Sequence, residues 1–392
     1  MRNITHKGVF ERQYFTEKTA RHWDFVVQEN LTAKEAVEFL KSGIKVRTFQ
    51  ENLQAFYSGS DLEERLTEGL YRYYGKCSSM HTDGIKDQGR YTDTTGVKQQ
   101  SIRRKVRNWM QNKNLPTDRE ELFCICFILQ LDDEASDYLL KRLTGQGIHY
   151  RNTRELLYAY CLKYHYEYEY ALEVAGQLCM EDAPVQTNIN SVEQQMLTGK
   201  VKSMFQTICD EEKLIEFMLD CKSFFGQYHN TAYQYFDKML KLLTEADGEA
   251  CSLEKIVDTY LRLNMPKNRN TRAYDDIQKL VKKYWPGSRS IKAMKNRSQD
   301  VTRKVLLILY LVTGGVSQEQ YLELDEEYVT PEEFLECHCR AMNQMLNECG
   351  MARLDPRNAF DYLVLYSIRP EGETFMSDRM AEIVSELYAG NE

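Results

Sequence analysis

Proline is scarce in this sequence, with seven residues among 392, and no stretch approaches the roughly 20 consecutive apolar residues that span a bilayer. The first residues, MRNITHKGVFERQYF, contain no apolar core of the length found in signal peptides. The eleven cysteines are odd in number and do not follow the paired spacing of a disulfide framework. We therefore expect a soluble, cytoplasmic protein whose thiols are reduced.

Motifs for catalysis and cofactor binding are also missing. The chain has no phosphate-binding GxxxxGKS or GxxxxGKT loop, no GxGxxG after a strand and no GxSxG elbow. Its seven histidines are scattered, and the segment ECHCR would point Cys337 and Cys339 about 200° apart on a helix. The numerous carboxylates do not single out a catalytic pair. We expect no enzyme activity, no metal and no cofactor.

Overall basicity is lacking as well, since the formal net charge is −8. A nucleic-acid surface would therefore have to be a local patch rather than a property of the whole molecule. A chain of 392 residues is longer than one compact core usually supports, which favours two or three domains.

Helical periodicity is present along nearly the whole chain. Apolar residues recur at three- and four-residue spacing in segments such as TAKEAVEFLKSG and AYQYFDKMLKLL, which predicts an all-α protein. Candidate N-caps precede several of these segments, namely Thr32, Thr117, Asn152 and Ser252. The run YHYEYEY at 164–170 alternates as a strand does, but we favour a helix end, a turn and a new helix, with packing roles for its tyrosines.

Three segments recur in the same order. DLEERLTEGLYRYY is followed by NKNLPTDREELFCICFIL and GIHYRNTRELLYAYCL, whereas SLEKIVDTYLRLN is followed by NRSQDVTRKVLLILYLV and RLDPRNAFDYLVLYSI. The aligned pairs include Arg119 with Arg303, Arg151 with Arg357, Asn152 with Asn358 and Glu155 with Asp361. The offset grows from 184 to 206 residues, and the acidic segment GGVSQEQYLELDEEYVTPEEF, 314–334, is the candidate for the roughly 22 extra residues.

This repeat predicts two related helical lobes built by internal duplication, together with extra N-terminal and connecting helices. We expect the segments at about 60–178 and about 250–388 to form similar bundles. The predicted division of the chain is 1–57, an N-terminal module; 58–180, the first lobe; 181–248, a helical connector; and 249–392, the second, diverged lobe.

The segment GVKQQSIRRKVRNWMQNKNLP carries concentrated positive charge and no acidic residue. On a helix, Arg103 and Arg107 share one face and Arg104 lies beside them. The inward stripe of the same helix consists of Ile102, Val106, Trp109 and Met110. This layout predicts a helix that docks on a core and presents guanidinium groups outward, with Trp109 in the core.

Across residues 97–129 the sequence resembles the lambda-repressor-like, or Xre-type, helix-turn-helix proteins of bacteria. The resemblance lies in a small turn, a polar helix, the pattern W-M-x-x-K-x-L-P and a following apolar helix. It implies DNA binding, with residues near 99–107 in the major groove. The segment YWPGSRSIKAMKNRSQDVTRKVLLILYL looks like a diverged second version, which differs in its WPG turn. The rest of the chain resembles larger bacterial regulator-like proteins with added helices.

We therefore expect a non-catalytic protein that binds double-stranded DNA and regulates transcription. The candidate DNA-binding residues are Lys98, Gln99, Gln100, Arg103, Arg104, Arg107, Lys113, Arg289, Lys292, Lys295 and Arg297. The alternative is an interaction adaptor, or a component of a mobile-element or phage-defence system, that keeps the fold without binding DNA. In that case the acidic stretch 316–336 would be the partner surface, and a homodimer is compatible with either function.

Overall fold

A computed structural model describes most of the chain, in the ranges 31–80, 95–116, 118–178, 198–220, 230–246, 252–267, 273–314, 331–368 and 375–390. Within these ranges the secondary structure is helical and contains no strand, which confirms the expected all-α class. No helix in the described part of the chain is both long and apolar enough to cross a membrane.

The described residues form eighteen α-helices, two of which continue into a π-helical turn. In chain order they are α1 (Ala33–Glu38, then π turn Phe39–Gly43), α2 (Phe49–Gln54), α3 (Leu62–Met80), α4 (Thr95–Met110), α5 (Arg119–Ile128), α6 (Asp133–Thr144), α7 (Thr153–Lys163), α8 (Tyr168–Leu178), α9 (Thr198–Gln206), α10 (Glu211–Asp220), α11 (Asn230–Ala246), α12 (Leu253–Ile256, then π turn Val257–Leu261), α13 (Asp276–Lys282), α14 (Ser288–Lys295), α15 (Arg303–Val312), α16 (Pro331–Glu348), α17 (Ala359–Ser367) and α18 (Met376–Tyr388).

Side-chain caps explain where several of these helices begin. Thr32 forms a capping box at α1, and Asn152 and Ser252 cap α7 and α12, as the sequence predicts. Each cap satisfies a backbone N–H that has no partner within the first turn. Thr117, expected to cap α5, lies outside the described residues, and Asp118 is the N-cap, accepting from a first-turn N–H.

Contacts between helices divide the chain into two compact units. Unit 1 comprises Met1–Val46, Tyr228–Cys349 and Arg353–Glu392, and unit 2 comprises Arg47–Gln227 and Gly350–Ala352. This grouping cuts within three of the segments expected from the sequence, 1–57, 181–248 and 249–392. The cut within 1–57 arises because α2 packs on α4 and α6 of unit 2, whereas α1 packs on α18 of unit 1.

Each unit contains a continuously apolar helix that is buried around almost its whole circumference, and α17 of unit 1 is buried along its whole length as well. All side chains at 122–129, in and after α5, and at 305–311, in α15, are buried. Burial of such a side chain contributes roughly 1.5–3 kcal/mol before the entropy of ordering is counted. The continuously apolar runs therefore form the centres of the two cores, as their sequences predict.

The tyrosine run contains no strand. α7 ends at Lys163, His165 adopts a left-handed backbone conformation with φ 55°, and α8 begins at Tyr168. The Tyr168 ring is buried and lies 4.7 Å from the Tyr73 ring of α3. The predicted helix end, turn and new helix are confirmed.

In unit 2, Arg119 at the start of α5 holds the loop that precedes α7. Its guanidinium donates to the two carboxylate oxygens of Glu155, at 2.9 and 2.5 Å, and to the Gly147 carbonyl at 2.8 Å. The same carboxylate accepts the His149 N–H at 2.7 Å. The Asn152 side chain accepts the Glu155 N–H at 2.9 Å, which places this carboxylate in the first turn of α7.

In unit 1, Arg303 at the start of α15 makes the same set of bonds. It donates to both carboxylate oxygens of Asp361, at 2.6 and 2.9 Å, and to the Arg353 carbonyl at 3.0 Å. Asp361 accepts the Asp355 N–H at 2.9 Å, and the Asn358 side chain accepts the Asp361 N–H at 3.2 Å. Each donor and acceptor therefore has a counterpart at the position that the sequence repeat aligns with it.

The ends of the helices recur as well. Gln130 after α5 and Gly314 after α15 are left-handed, with φ 55° and 71°, and so are Gly145 after α6 and Gly350 after α16, with φ 81° and 66°. A left-handed residue just past the last turn is a common way for a helix to stop. Among the described residues, the order of helices and of these left-handed stops is thus the same from α5 to α7 as from α15 to α17.

Candidate nucleic-acid interface

The basic helix α4 is anchored through its apolar stripe. Ile102, Val106 and Trp109 are buried and Met110 is half-buried, which confirms the predicted inward face. The Trp109 ring packs edge-on against Phe49 of α2, with ring centroids 5.8 Å apart. Trp109 is therefore a core residue, as expected, and the orientation of α4 is fixed by packing within unit 2.

The opposite face of α4 is polar and exposed. Gln99, Arg103 and Arg107 form one row at four-residue spacing, and Gln100 and Arg104 form the row beside it; all five side chains are exposed. At 1.5 Å per residue the first row is about 12 Å long, which is comparable to the width of the DNA major groove. Within the part of the chain that the structure describes, Arg103 and Arg104 form no ion pair.

Acidic neighbours affect only the margins of this face. Arg107 lies 3.6 Å from Glu63 of α3; its side chain is exposed and that of Glu63 is half-buried. Such a surface pair contributes about 0–1 kcal/mol, so a phosphate group can replace the carboxylate. Lys105 instead pairs with the buried Glu121 and lies over the Trp109 ring, so it belongs to the packing of the helix.

The turn after α4 is well held. Asn112 is left-handed, with φ 58°, and its side-chain oxygen accepts the Phe49 N–H at 3.1 Å. Lys113 is exposed beside it, with its ammonium 3.2 Å from the Gln111 side-chain oxygen. The side chain of Lys98, at the other end of the candidate set, lies outside the described residues.

The connection after α4 is longer than that of a helix-turn-helix motif, in which a three- or four-residue turn joins the two helices. Eight residues, 111–118, separate α4 from α5. α4 is thus not joined to α5 by a turn of that length. This is the main departure from the geometry that the family resemblance implies.

The second basic helix, α14, is shorter but similarly arranged. Arg289, Lys292 and Lys295 are exposed at three-residue spacing, which places them along one side of the helix, while Ile291 and Met294 are buried. Five residues, 283–287, separate it from α13. Unit 1 therefore also presents a row of basic side chains to solvent.

Arg297, the last of the candidate residues, has a different environment. Its guanidinium lies 3.2 Å from the Asp237 carboxylate and 4.3 Å from the centroid of the Tyr233 ring, both on α11. Burial raises the pKa of Asp237, and the positive charges of Arg297 and Lys295 partly offset that rise. Arg297 is therefore anchored to α11 rather than presented with the other three basic residues.

The segment considered for metal binding is part of the core of unit 1. His338 is buried, its Nδ1 lies 3.0 Å from the Tyr310 hydroxyl, and burial lowers the pKa of the imidazole to about 4. Cys339 is also buried, whereas Cys337 is half-buried. Among the described residues, no three His, Cys, Asp or Glu side chains are grouped so that they could hold a metal ion.

Tyr284, which precedes the second basic helix and is 68% exposed, is not among the candidate residues predicted from the sequence. The signal that could have identified it is an acid-free run of 23 residues, 277–299, that includes the pattern KKYW. Aromatic residues interleaved with basic ones are typical of surfaces that bind nucleic acids.

Comparison with protein-family models, curated proteins and solved structures finds no match for this chain. The chemistry of the interface is therefore judged from its geometry. Guanidinium groups form strong, charge-assisted and often bidentate hydrogen bonds with phosphate oxygens. The exposed face of α4 has residue types that bond phosphate oxygens, in a row about as long as the major groove is wide.

Proposed function

We propose that this protein is a non-catalytic DNA-binding protein, that it contacts double-stranded DNA through the exposed face of α4, and that it regulates transcription. One observation carries the proposal: Arg103, Arg104 and Arg107 are exposed together on a packed helix of a chain whose net charge is −8. The regulatory role rests on the helix-turn-helix resemblance alone. DNA contact by this face does not require the short turn of that motif.

The side chains on α4 match two kinds of DNA contact. Arginines that neutralise phosphates supply affinity without sequence preference and make binding depend on salt. Gln99 and Gln100 precede them on the same face, and glutamine can bond the adenine edge in the major groove. Sequence preference, in this proposal, comes from these amides and from any arginine that reaches a guanine.

We also propose that the two units descend from an internal duplication. The paired bonds of Arg119 with Glu155 and of Arg303 with Asp361 support it, since each is part of a matching set of loop and cap contacts. The shared order of helix stops supports it as well. In this proposal, α14 is the counterpart of α4, and its weaker resemblance reflects divergence of the surface.

Fluorescence anisotropy with a labelled DNA duplex tests the proposal. The variant with Arg103→Ala, Arg104→Ala and Arg107→Ala should lose most of its affinity, because it lacks the guanidinium groups that contact phosphates. Each phosphate contact removed should also flatten the slope of log K against log salt by about 0.9. The matched control is Lys238→Ala with Lys241→Ala, which removes exposed charge from α11. Circular dichroism should show that both variants keep their helices.

Two results would overturn the proposal. The first is an absence of salt-dependent association with any duplex, including fragments from upstream of the protein's own gene. The second is an equal loss of affinity in the α11 control. If the α4 variant instead loses binding to an acidic polypeptide such as polyglutamate, the adaptor function leads. The acidic stretch 316–336, which in the adaptor function would bind a partner with a basic surface, lies largely outside the described residues.

A further inference from the structure

Unit 1 contains a tyrosine whose position is unusual for a bulky residue. Tyr284 follows α13, its backbone is left-handed with φ 60°, and its side chain is 68% exposed. Residues other than glycine, asparagine and aspartate seldom adopt this conformation, and such strain collects at functional sites. The same conformation follows other helices of this chain, at Gln130 and His165, so it is the exposure of a bulky aromatic ring at such a position that calls for an explanation.

The backbone on both sides of Tyr284 is pinned. The Lys304 ammonium donates to the carbonyls of Val281 and Lys283, at 2.7 and 2.6 Å. The half-buried Trp285 donates its indole N–H to a carbonyl in the π turn after α12, at 3.1 Å. These bonds hold the turn in place while the Tyr284 ring stays in solvent, so the ring is displayed on a rigid base.

One basic side chain contacts this ring, and others follow or precede it closely in the chain. The Lys283 ammonium lies 5.0 Å from the centroid of the Tyr284 ring. Arg289 begins the exposed row of α14 only five residues later, which limits its separation from Tyr284 to roughly 17 Å of extended chain. Arg289 and Lys292 form no ion pair within the described ranges, and Lys279 has only the exposed Asp276 at 3.4 Å.

We propose that the Tyr284 surface, formed by Lys279, Lys283, Tyr284, Arg289 and Lys292, binds single-stranded nucleic acid by stacking an unpaired base on the tyrosine ring. Aromatic rings that carry stacked bases, set among cations that follow the backbone, are how proteins hold single strands without reading their sequence. A duplex offers no free base face to the ring. The basic residues alone would not need an exposed aromatic side chain held in a strained conformation.

Two other occupants fit the surface less well. A membrane surface is bound by helices with a broad apolar face, whereas α13 has seven residues and exposes Asp276 almost completely. An acidic protein would satisfy the cations but would leave the ring without a planar partner. The inference is separate from the proposed duplex binding, because the Tyr284 surface lies in unit 1 and α4 lies in unit 2.

The test uses the full-length protein and a short single-stranded oligothymidylate that contains one fluorescent base analogue. Tyr284→Ala should weaken binding roughly 5- to 100-fold, in line with measured base-stacking contributions, and should remove the quenching of the analogue that stacking causes. Tyr284→Phe keeps the ring and should retain both. Phe375→Ala is the matched control, because this side chain is 72% exposed elsewhere in unit 1.

The outcomes separate the two proposals. Binding that is weakened by Tyr284→Ala, kept by Tyr284→Phe and unaffected by the α4 arginine variant supports the inference. Equal affinity of the wild type and Tyr284→Ala overturns it, as does an equal loss in Phe375→Ala. Tyr284-dependent binding to polyglutamate or to phosphatidylserine vesicles, without binding to the single strand, overturns it in favour of those partners. Thermal unfolding confirms that each variant is folded.

Discussion

Replacement of Asp361 by asparagine should destabilise unit 1 more than the matching change destabilises unit 2. The Asp361 side chain is 2% exposed and that of its partner Arg303 is 11% exposed. Asparagine keeps the size of the side chain but removes the charge, and it can no longer accept both guanidinium bonds. Removal of one partner from a buried pair typically costs about 3–5 kcal/mol, because the other charge stays buried without compensation.

The comparison within the chain sets the expected order. In unit 2 the Arg119 side chain is 29% exposed and Glu155 is 14% exposed, so water can solvate the arginine once its partner is neutral. Glu155→Gln should therefore cost less, about 1–3 kcal/mol, which is the range for a hydrogen-bonded charge that regains some solvent. The structure thus predicts that Asp361→Asn costs more than Glu155→Gln.

Urea unfolding with hydrogen exchange measures this order. Exchange of the amides of α17 reports unit 1 and exchange of those of α7 reports unit 2, so the two losses are separated even if the units unfold in different transitions. The double variant Arg303→Gln with Asp361→Asn removes both charges. It should be more stable than Asp361→Asn alone, because no buried charge is left unpaired.

A change of less than about 0.5 kcal/mol in the stability of unit 1 on Asp361→Asn, which is the usual effect of a surface substitution, would contradict this prediction. A larger loss of stability on Glu155→Gln than on Asp361→Asn would contradict it as well. A double variant less stable than the single one would show that the arginine holds the loop through its carbonyl contact rather than through the charge pair.

Two further predictions concern buried groups in each unit. Burial lowers the pKa of Lys304 from 10.5 to about 7, so between these values the unfolded chain holds a proton that the folded chain releases, and stability rises with pH. Lys304→Met should abolish that rise in urea unfolding at several pH values; an unchanged pH profile would contradict it. Gly69→Ala would place a Cβ 2.4 Å from Ile128, which should cost about 1–3 kcal/mol. Because Ile128→Ala removes the clashing atoms but opens a cavity, the double variant should lose less stability in thermal unfolding than the sum of the two single losses.

Local patterns carried most of what the sequence could predict. The spacing of Ile102, Val106 and Trp109 identified the buried side of α4 because a helix has one fixed period. The apolar runs of α5 and α15 identified the centres of the cores. The tyrosine run predicts a turn between two helices, and the structure confirms it. These features depend on residues within a few turns of each other.

Contacts between residues that lie far apart in the sequence could not be predicted from such local patterns. Arg119 and Glu155 were aligned with their counterparts, but 36 residues separate them and many other acids were available as partners. The exposure of Tyr284 depends on a turn held by Lys304, which lies 20 residues further along the chain. The N-cap of α5 was misplaced by one residue, because Thr117 and Asp118 are both good caps.

If the two units descend from a duplication, as proposed, their buried contacts should recur more strictly than their exposed side chains. A surface side chain usually contributes within about 0.5 kcal/mol to stability, so the exposed rows of α4 and α14 can change without loss of the fold. The buried contacts of Arg303 with Asp361 cannot change in this way, since either partner alone would be left as a buried charge. The two basic helices therefore need separate tests, because the proposed descent from a duplication would not require them to bind the same form of nucleic acid.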